Sequence, residues 1–265
     1  MNLAITRLKR DLENKQVIKI IAGLSNFNVT SVIKTVKAAE IAESTYVDVA
    51  SNPKLVKILK SLTHLPVCVS SIDPQELYDC LLAGADILEI GNFDAFYSKY
   101  IYFSTSQIIN LTKEIQSFSK NNPLCVTIPH ILSLSDQLNL VQQLQKLDVT
   151  MVQTEGSTNK TQLIPMISSP IIHSTNLSSS TLSASYKLSK YTNIPVIASS
   201  CINSLSASIA ISHGASGIGI CSALQDLNLI NQKVDYINQL KFSISSYRTG
   251  ILTPLMKASM KVNAA

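Results

Sequence analysis

The segment 194–224, IPVIASSCINSLSASIAISHGASGIGICSAL, constrains the fold of this chain more than any other. Two short apolar runs, 195–198 and 217–220, are separated by a stretch of helical character. Each run stops at small residues, which are Ser199, Ser200 and Cys201 after the first run and Cys221 and Ser222 after the second. The order of strand, turn, helix, strand and helix start predicts two consecutive βα units, which build parallel sheets.

The same alternation repeats along most of the chain and predicts about eight βα units. Predicted strands cover residues 17–22, 46–49, 67–70, 87–90, 125–128, 151–154, 195–198 and 217–220. Predicted helices cover residues 29–42, 53–62, a stretch that begins after Asp73, 105–118, a stretch from Ser133 or Ser135 to 147, 181–190 and 231–247. A (β/α)8 TIM barrel, an α/β fold, commonly takes about 250 residues as one domain, so we predict a single TIM-barrel domain over residues 1–265.

Three segments are predicted to lie outside the regular units. Residues 1–15 contain an amphipathic helical pattern that would cover the bottom of the barrel, and residues 253–265 turn polar and are expected to fray. The apolar run 170–173 predicts an extra short strand or excursion. The alternative fold is an open doubly wound sheet, but the turn 22–25 after the first strand lacks the GxGxxG fingerprint.

Composition limits the kinds of partner. Hydrophobic residues make up 46% of the chain and charged residues 15%, which suits strands that are covered on both faces. Every apolar run is interrupted before the roughly 18 residues that a membrane-spanning helix needs, so no membrane association is predicted. The net charge of +5 comes with dispersed lysines, and tryptophan is absent, so we predict no nucleic-acid partner.

The five cysteines predict a reducing compartment, because their number is odd and neither a CxxC pair nor metal-ligand spacing with histidine occurs. We accordingly predict no metal and no cofactor. Residues 1–16 lack an apolar signal core, and Asp11 and Glu13 stand just before the first strand, so no removable transit peptide is expected.

Five predicted strands contain a polar residue at a similar distance from the strand end. These residues are Lys19, Asp48, Glu89, Thr127 and Gln153. Strand alternation predicts that all five point into the barrel at about the same height. One interpretation is a buried ion network that fills the interior. The other is catalysis, with Lys19 as a Schiff-base amine and Asp48 or Glu89 as general acid or base.

Polar residues also follow the strands, at the end where TIM barrels place their active sites. Asn92 follows the fourth predicted strand and Glu155 the sixth, and both are candidate ligand contacts. Glu155 is the better carboxylate for proton transfer, because substrate and water reach the rim. His130 is interpreted as a loop residue that caps the next helix.

An aromatic loop follows the fourth strand and contains Phe93, Phe96, Tyr97, Tyr100, Tyr102 and Phe103. It suits a lid or a substrate platform over the barrel mouth. Packing on its own barrel or on a neighbouring subunit is the commoner outcome, and we favour the subunit contact, which implies a homo-oligomer.

The small residues of the last two units are candidates for a phosphate site. In many TIM barrels, backbone N–H groups of the loops after strands seven and eight hold a phosphate. The corresponding residues here are Ser200, Cys201, Gly219, Cys221 and Ser222.

Several motifs together resemble a family of algal plastid genomes and cyanobacteria, known as hypothetical chloroplast reading frame 23. They are KIIAGL, YVDVA, ADILEIGNFDAFY, QTEG and GASGIGICSAL, and the resemblance covers nearly the whole chain. It implies a TIM barrel and a plastid-encoded protein of the chloroplast stroma, and it supplies no established reaction. In the family pattern, glycines are usual at the positions of Cys201 and Cys221. Cysteine fits there if the backbone is extended.

Cys201 and Cys221 would lie near each other, which allows the hypothesis that their thiols are sensitive to oxidation. The simpler interpretation is that they are two small buried residues without a redox role.

For function, the sequence favours a lyase, isomerase or synthase that acts on a small phosphorylated metabolite. Lys19, Glu89 and Glu155 would lie near the chemistry, and Asp48, Asn92 and Gln153 would contact the ligand. The alternative is a noncatalytic barrel that senses such a ligand or scaffolds a partner.

Overall fold

The computed structural model describes residues 3–24, 26–156 and 169–248. Eight parallel strands pair in chain order, and the first pairs with the last, so the sheet closes into a barrel. The strands are β1 Val17–Ile21, β2 Tyr46–Ala50, β3 Val67–Ser71, β4 Ile87–Ile90, β5 Leu124–Ile128, β6 Met151–Thr154, β7 Val196–Ser199 and β8 Gly217–Ile220. The predicted TIM barrel is confirmed.

One helix precedes β1, and the other helices follow the strands and surround the barrel. They are α1 Leu3–Glu13, α2 Val29–Ile41, α3 Pro53–Lys60, α4 Pro74–Leu82, α5 Asp94–Tyr97, α6 Thr105–Phe118, α7 Leu134–Lys146, α8 Pro170–Leu177, α9 Ser179–Tyr191, α10 Ala207–Ser212, α11 Ser222–Gln225 and α12 Ile230–Arg248. Among the residues that the structure describes, no helix is long and apolar enough to cross a membrane.

Local sequence fixes where several helices begin. Asp73 accepts hydrogen bonds from the backbone N–H groups of Gln75 and Glu76, and Pro74 occupies the first helical turn. At the start of α3, Asn52 accepts hydrogen bonds from the backbone N–H groups of Lys54 and Leu55, and Pro53 occupies the first helical turn. Proline in this position loses no helical hydrogen bond, because the first N–H groups of a helix have no partner within it.

Two hydrophobic clusters hold the barrel together. The larger one lies between the strands and the surrounding helices. The smaller one fills the bottom of the barrel and consists of Leu8, Leu12, Val17, Tyr46, Cys68, Ile87, Cys125, Met151 and Ile197. Leu8 and Leu12 belong to α1, so this helix closes the bottom of the barrel, as the sequence predicts.

The segment after β6 corrects one prediction. Residues 170–173 form the start of α8 and not a strand. Pro170 favours the first turn of a helix, and β6 already pairs with β5 and β7, so the barrel offers no free edge there for another strand. Residues 253–265, which are predicted to fray, lie outside the described residues.

Candidate active site

The polar residues of the strands meet in the barrel interior, as predicted. Nζ of Lys19 lies 2.7 Å from Oδ2 of Asp48, 2.6 Å from Oε2 of Glu89 and 2.8 Å from Oε1 of Gln153. An ammonium group has three N–H donors, so these three acceptors satisfy it completely. We call Lys19, Asp48, Glu89, Thr127 and Gln153 the buried network.

Further hydrogen bonds fix the carboxylates of the buried network. Oε1 of Glu89 accepts from Oγ1 of Thr127 and from Nε2 of Gln153, both at 2.9 Å. The hydroxyl of Ser70 donates to Asp48 at 2.8 Å. Each charge therefore has both a counter-charge and hydrogen-bond partners, which a buried ion needs in order to be tolerated.

Burial alone would lower the pKa of Lys19, but the charges of Asp48 and Glu89 outweigh it and raise this pKa well above its ordinary value. Lys19 is therefore held as an ammonium ion, and the geometry is that of the ion-network interpretation. The Schiff-base role needs a free amine in contact with substrate, and it stays a prediction without support from these contacts.

Asp48, Cys68 and Glu89 have ligand atoms within 4.8 Å of one another, a grouping of the kind that holds metal ions. The ammonium group of Lys19 contacts both carboxylates of this group. A divalent cation at the same point would have to displace this ammonium group, because two cations repel each other strongly where water is excluded.

A cavity of about 1000 Å³ opens above the buried network, at the carboxyl ends of the strands. We call it the mouth cavity. Its lining includes Thr127, Gln153, Ser199 and Gly219, which belong to the strands. Eight of the predicted site residues line it, namely Asn92, Gln153, Glu155, Ser200, Cys201, Gly219, Cys221 and Ser222. Lys19, Asp48 and Glu89 do not line it and are fully buried.

Glu155 is held at the cavity wall by Tyr97 and His130, two contacts that the sequence did not indicate. Its Oε2 accepts a 2.5 Å hydrogen bond from the hydroxyl of Tyr97 and lies 2.9 Å from Nδ1 of His130. The backbone N–H of His130 also donates to this oxygen, at 3.1 Å. The capping role predicted for His130 is wrong, because Ser133 caps α7.

Burial and the carboxylate of Glu155 together raise the pKa values of two neighbouring groups, Tyr97 and Asp94. Burial and the hydrogen bond to Glu155 raise the pKa of Tyr97, so its hydroxyl stays protonated and donates. Partial desolvation and the charge of Glu155 raise the pKa of Asp94, which also lines the mouth cavity. The wall thus contains the carboxylates of Asp94 and Glu155, and a phenol and an imidazole contact Glu155; these are types of group that exchange protons with substrates.

The turn after β7 has the backbone conformation of a glycine turn although it contains no glycine. The φ angles are +78° at Ser200 and +55° at Cys201, both in the left-handed region. The extended backbone that would suit a cysteine is therefore absent at Cys201. At Cys221 the φ angle is −126°, which does not demand glycine. Cysteine at 201 thus preserves the turn at a conformational cost.

Close contacts join the loops at this side of the cavity. A Cβ atom at Gly156 would lie 2.8 Å from Cβ of Ser200, and one at Gly219 would lie 2.8 Å from Oγ of Ser199. Oγ1 of Thr181 lies 2.9 Å from the carbonyl oxygens of Ser199 and Ser200. Gly156, directly after Glu155, therefore packs on the predicted phosphate turn.

The aromatic loop packs mainly on its own barrel. Phe93 is fully buried, and its ring centroid lies 5.1 Å from that of Phe103. Tyr97 reaches Glu155, whereas Tyr100 is 84% exposed and Tyr102 51% exposed. One part of the loop therefore shapes the mouth cavity and another part faces outward.

Most of the chain matches one known protein family. Residues 3–250 match the family described as "Protein of unknown function (DUF561)". The uncharacterized protein ycf23 of Antithamnion sp. is 47% identical over 250 residues, which cover 92% of this chain and 90% of the relative. The protein of the same name from Cyanidium caldarium is 37% identical over 239 residues, covering 90% and 94%.

Solved structures share the fold at low sequence identity. The 3-hexulose-6-phosphate synthase of Salmonella typhimurium aligns with a TM-score of 0.61 at 11% identity, covering 87% of this chain and 99% of that one. Thiamine phosphate pyrophosphorylase of Pyrococcus furiosus gives 0.58 at 16% identity, covering 89% and 98%. The (S)-3-O-geranylgeranylglyceryl phosphate synthase of Thermoplasma acidophilum gives 0.58 at 14% identity, covering 92% and 98%. These likenesses show the barrel fold alone.

Proposed function

The chain belongs to the family of proteins of unknown function called DUF561, and we propose that it is an enzyme of lyase, isomerase or synthase type that acts on a small phosphorylated metabolite. The observation that carries this proposal is the environment of Glu155. Its carboxylate is bound by Tyr97 and His130 at the wall of the mouth cavity. Such a group is positioned to move a proton on a bound substrate.

The chemistry proposed for Glu155 is the transfer of a proton to or from a carbon or oxygen atom of the substrate. Tyr97 donates a hydrogen bond to the carboxylate and orients it, and His130 provides a second proton-exchanging group on the same oxygen. Asn92 lines the same cavity and would contact the ligand.

The phosphate group is proposed to bind on the side of β7 and β8, through backbone N–H groups of Ser200, Cys201, Gly219, Cys221 and Ser222. The left-handed turn at Ser200 and Cys201 supports this role. Gly219 lines the same cavity, and a Cβ atom there would lie 2.8 Å from Oγ of Ser199, so a residue without a side chain is needed at this point of the proposed site. Solved proteins with this barrel include several whose names refer to phosphate compounds.

The buried network is proposed to position a residue of the mouth cavity from beneath the cavity floor. Lys19 and Glu89 are hydrogen-bonded to Gln153, Asp48 pairs with Lys19, and Gln153 in turn lines the mouth cavity. In this proposal Lys19 and Glu89 are positioning residues, and the Schiff-base alternative is disfavoured because the amine is fully buried and paired.

The name ycf23 of the relatives denotes a chloroplast reading frame, which supports a plastid location, the stroma, for this chain.

The exposed Tyr100 and Tyr102 support a contact with a second copy of the chain. Sedimentation of the Tyr100→Ser/Tyr102→Ser double variant tests this contact. A lower mass than that of the wild type is expected, and an unchanged monomer in both proteins contradicts it.

Thermal shift tests the function first, with a panel of phosphorylated metabolites and their dephosphorylated counterparts. We expect stabilisation by phosphorylated compounds only. For each compound that stabilises, NMR in D₂O then follows exchange of carbon-bound hydrogen and product formation.

The Glu155→Gln variant should keep the thermal shift and lose the chemical change, and Glu43→Gln, at an exposed site, serves as the matched control. Binding without any chemical change in the wild type would instead favour the ligand-sensing barrel.

A further inference from the structure

Lys233 is a buried ammonium group that makes no salt bridge within the described residues, and the charge that favours its ammonium form is the carboxylate of Asp226. It lies at the fourth position of α12, its side chain is only 5% exposed, and it lines the mouth cavity. Its Nζ donates a hydrogen bond to the carbonyl oxygen of Leu224 in α11. Within the described ranges, no carboxylate oxygen lies within 4.0 Å of this Nζ. A buried charge in this state is costly unless a ligand supplies the opposite charge.

Lys34 adds a second cation to the same end of the cavity. It lies on α2, is exposed and lines the mouth cavity. Burial lowers the pKa of Lys233, the charge of Asp226 raises it, and the charge of Lys34 lowers it further, so the two ammonium groups are near enough to repel each other. Helices that follow barrel strands begin at the mouth, and the N-termini of α2 and α12 therefore add further positive potential there.

The mouth cavity is consequently divided by charge. Its cationic end lies beside β1 and β8, which pair with each other, and contains Lys34 and Lys233. Its acidic wall follows β4 and β6 and contains Asp94 and Glu155. In a closed barrel of eight strands, β4 and β5 lie opposite the junction of β8 and β1, so the two ends face each other across the cavity.

We propose that Lys233 and Lys34 bind the phosphate group of a phosphomonoester next to Ser222, which is a refinement that rests on the proposed function. Two ammonium groups balance a phosphomonoester dianion. The rest of the molecule then extends toward Glu155, where Asp94 adds a second carboxylate. A substrate with one phosphate fits this layout, and a second phosphate at the acidic wall is disfavoured by charge repulsion.

Cationic side chains suit this end of the mouth cavity. The turns after β7 and β8 contain Cys201 and Cys221, and a side chain limits how closely a backbone N–H approaches an anion. Cationic side chains do not need that approach, because they reach the anion from α2 and α12.

Calorimetric titration of inorganic phosphate into the whole protein tests the proposal. Lys233→Met should weaken phosphate binding about tenfold or more, since it removes a buried charge-assisted hydrogen bond. Lys34→Gln should weaken it about two- to fivefold, as expected for an exposed cation. The matched controls are Lys241→Gln, farther along α12, and Lys37→Gln on α2, both with partners away from the mouth cavity. Both controls should bind phosphate as the wild type does.

Lys34→Gln alters an exposed side chain, so it keeps the test valid if Lys233→Met folds poorly. Equal phosphate affinity of the wild type and both lysine variants overturns the lysine site and leaves the proposed function intact, with the phosphate held by loop backbone. Absence of phosphate binding in the wild type also overturns it. The metabolite panel and Glu155→Gln judge the proposed function separately, because neither depends on a lysine substitution. In that panel, phosphomonoesters should stabilise the protein more than the corresponding bisphosphates.

Discussion

The hydroxyl of Tyr97 donates a 2.5 Å hydrogen bond to Oε2 of Glu155, although the two residues are 58 positions apart in the chain. Tyr97 belongs to α5, a one-turn helix in the loop after β4, and Glu155 directly follows β6. The bond therefore ties the aromatic loop to the proposed proton-transfer group.

A double-mutant cycle measures this bond. Tyr97→Phe and Glu155→Ala should show a coupling free energy of about 1.5 kcal/mol in urea unfolding, because the bond joins a neutral donor to a carboxylate at a half-buried site. The ring of Tyr102 stacks on that of Tyr97. Tyr102→Phe paired with Glu155→Ala is therefore the control and should give a coupling near zero. Equal coupling in both cycles would contradict the assignment.

Lys19→Met should destabilise the protein by about 3–5 kcal/mol, because it leaves two fully buried carboxylates without their counter-charge. The triple variant Lys19→Met/Asp48→Asn/Glu89→Gln removes all three charges and should recover more than half of that loss. Urea unfolding measures both variants. If the triple variant is less stable than the single one, the lost free energy does not come from unpaired charge.

Burial raises the pKa of Tyr46 well above its ordinary value. Above a pH of about 10 the unfolded chain loses this proton while the folded protein keeps it, so stability falls as the pH rises. Tyr46→Phe should reduce that alkaline slope by about 1.4 kcal/mol per pH unit. Unfolding free energies measured across this pH range test the effect, with the exposed Tyr100→Phe as control. An unchanged slope in Tyr46→Phe contradicts the prediction.

The barrel and its inward polar residues were predictable because both depend on local periodicity. Strand alternation alone places Lys19, Asp48 and Glu89 on the inner face, and the closed sheet then brings them together. The strand ends also indicated where Glu155 would lie, since carboxyl ends of parallel strands meet at one rim.

The partners of Glu155 were not predictable in the same way. Tyr97 reaches it only because the loop after β4 folds back over the rim, with Phe93 buried beneath it. His130 directly follows Pro129 after β5, and its position at a strand end was the one available signal. Lys233 was missed because it lies in a helix, where a lysine is ordinarily solvated.

The two cysteines of the proposed phosphate loops should respond differently to glycine. At position 201 the φ angle of +55° disfavours any residue with a Cβ atom, so Cys201→Gly relieves a cost of about 1 kcal/mol. This gain offsets the loss of about 0.5–1 kcal/mol that glycine brings through the greater freedom of the unfolded chain. At position 221 the φ angle of −126° offers no such relief, so Cys221→Gly should show the full loss.

Both cysteine side chains are partly buried and line the same cavity, so each variant is the matched control of the other. We expect Cys201→Gly to be more stable than Cys221→Gly by about 1 kcal/mol in urea unfolding at equal denaturant dependence. The reverse order would mean that the left-handed turn at position 201 does not determine the stability of this loop. Phosphate titration of the two variants then tests a second effect of glycine at position 201. If removal of the Cys201 side chain also lets the turn approach the anion more closely, Cys201→Gly binds phosphate more tightly than the wild type.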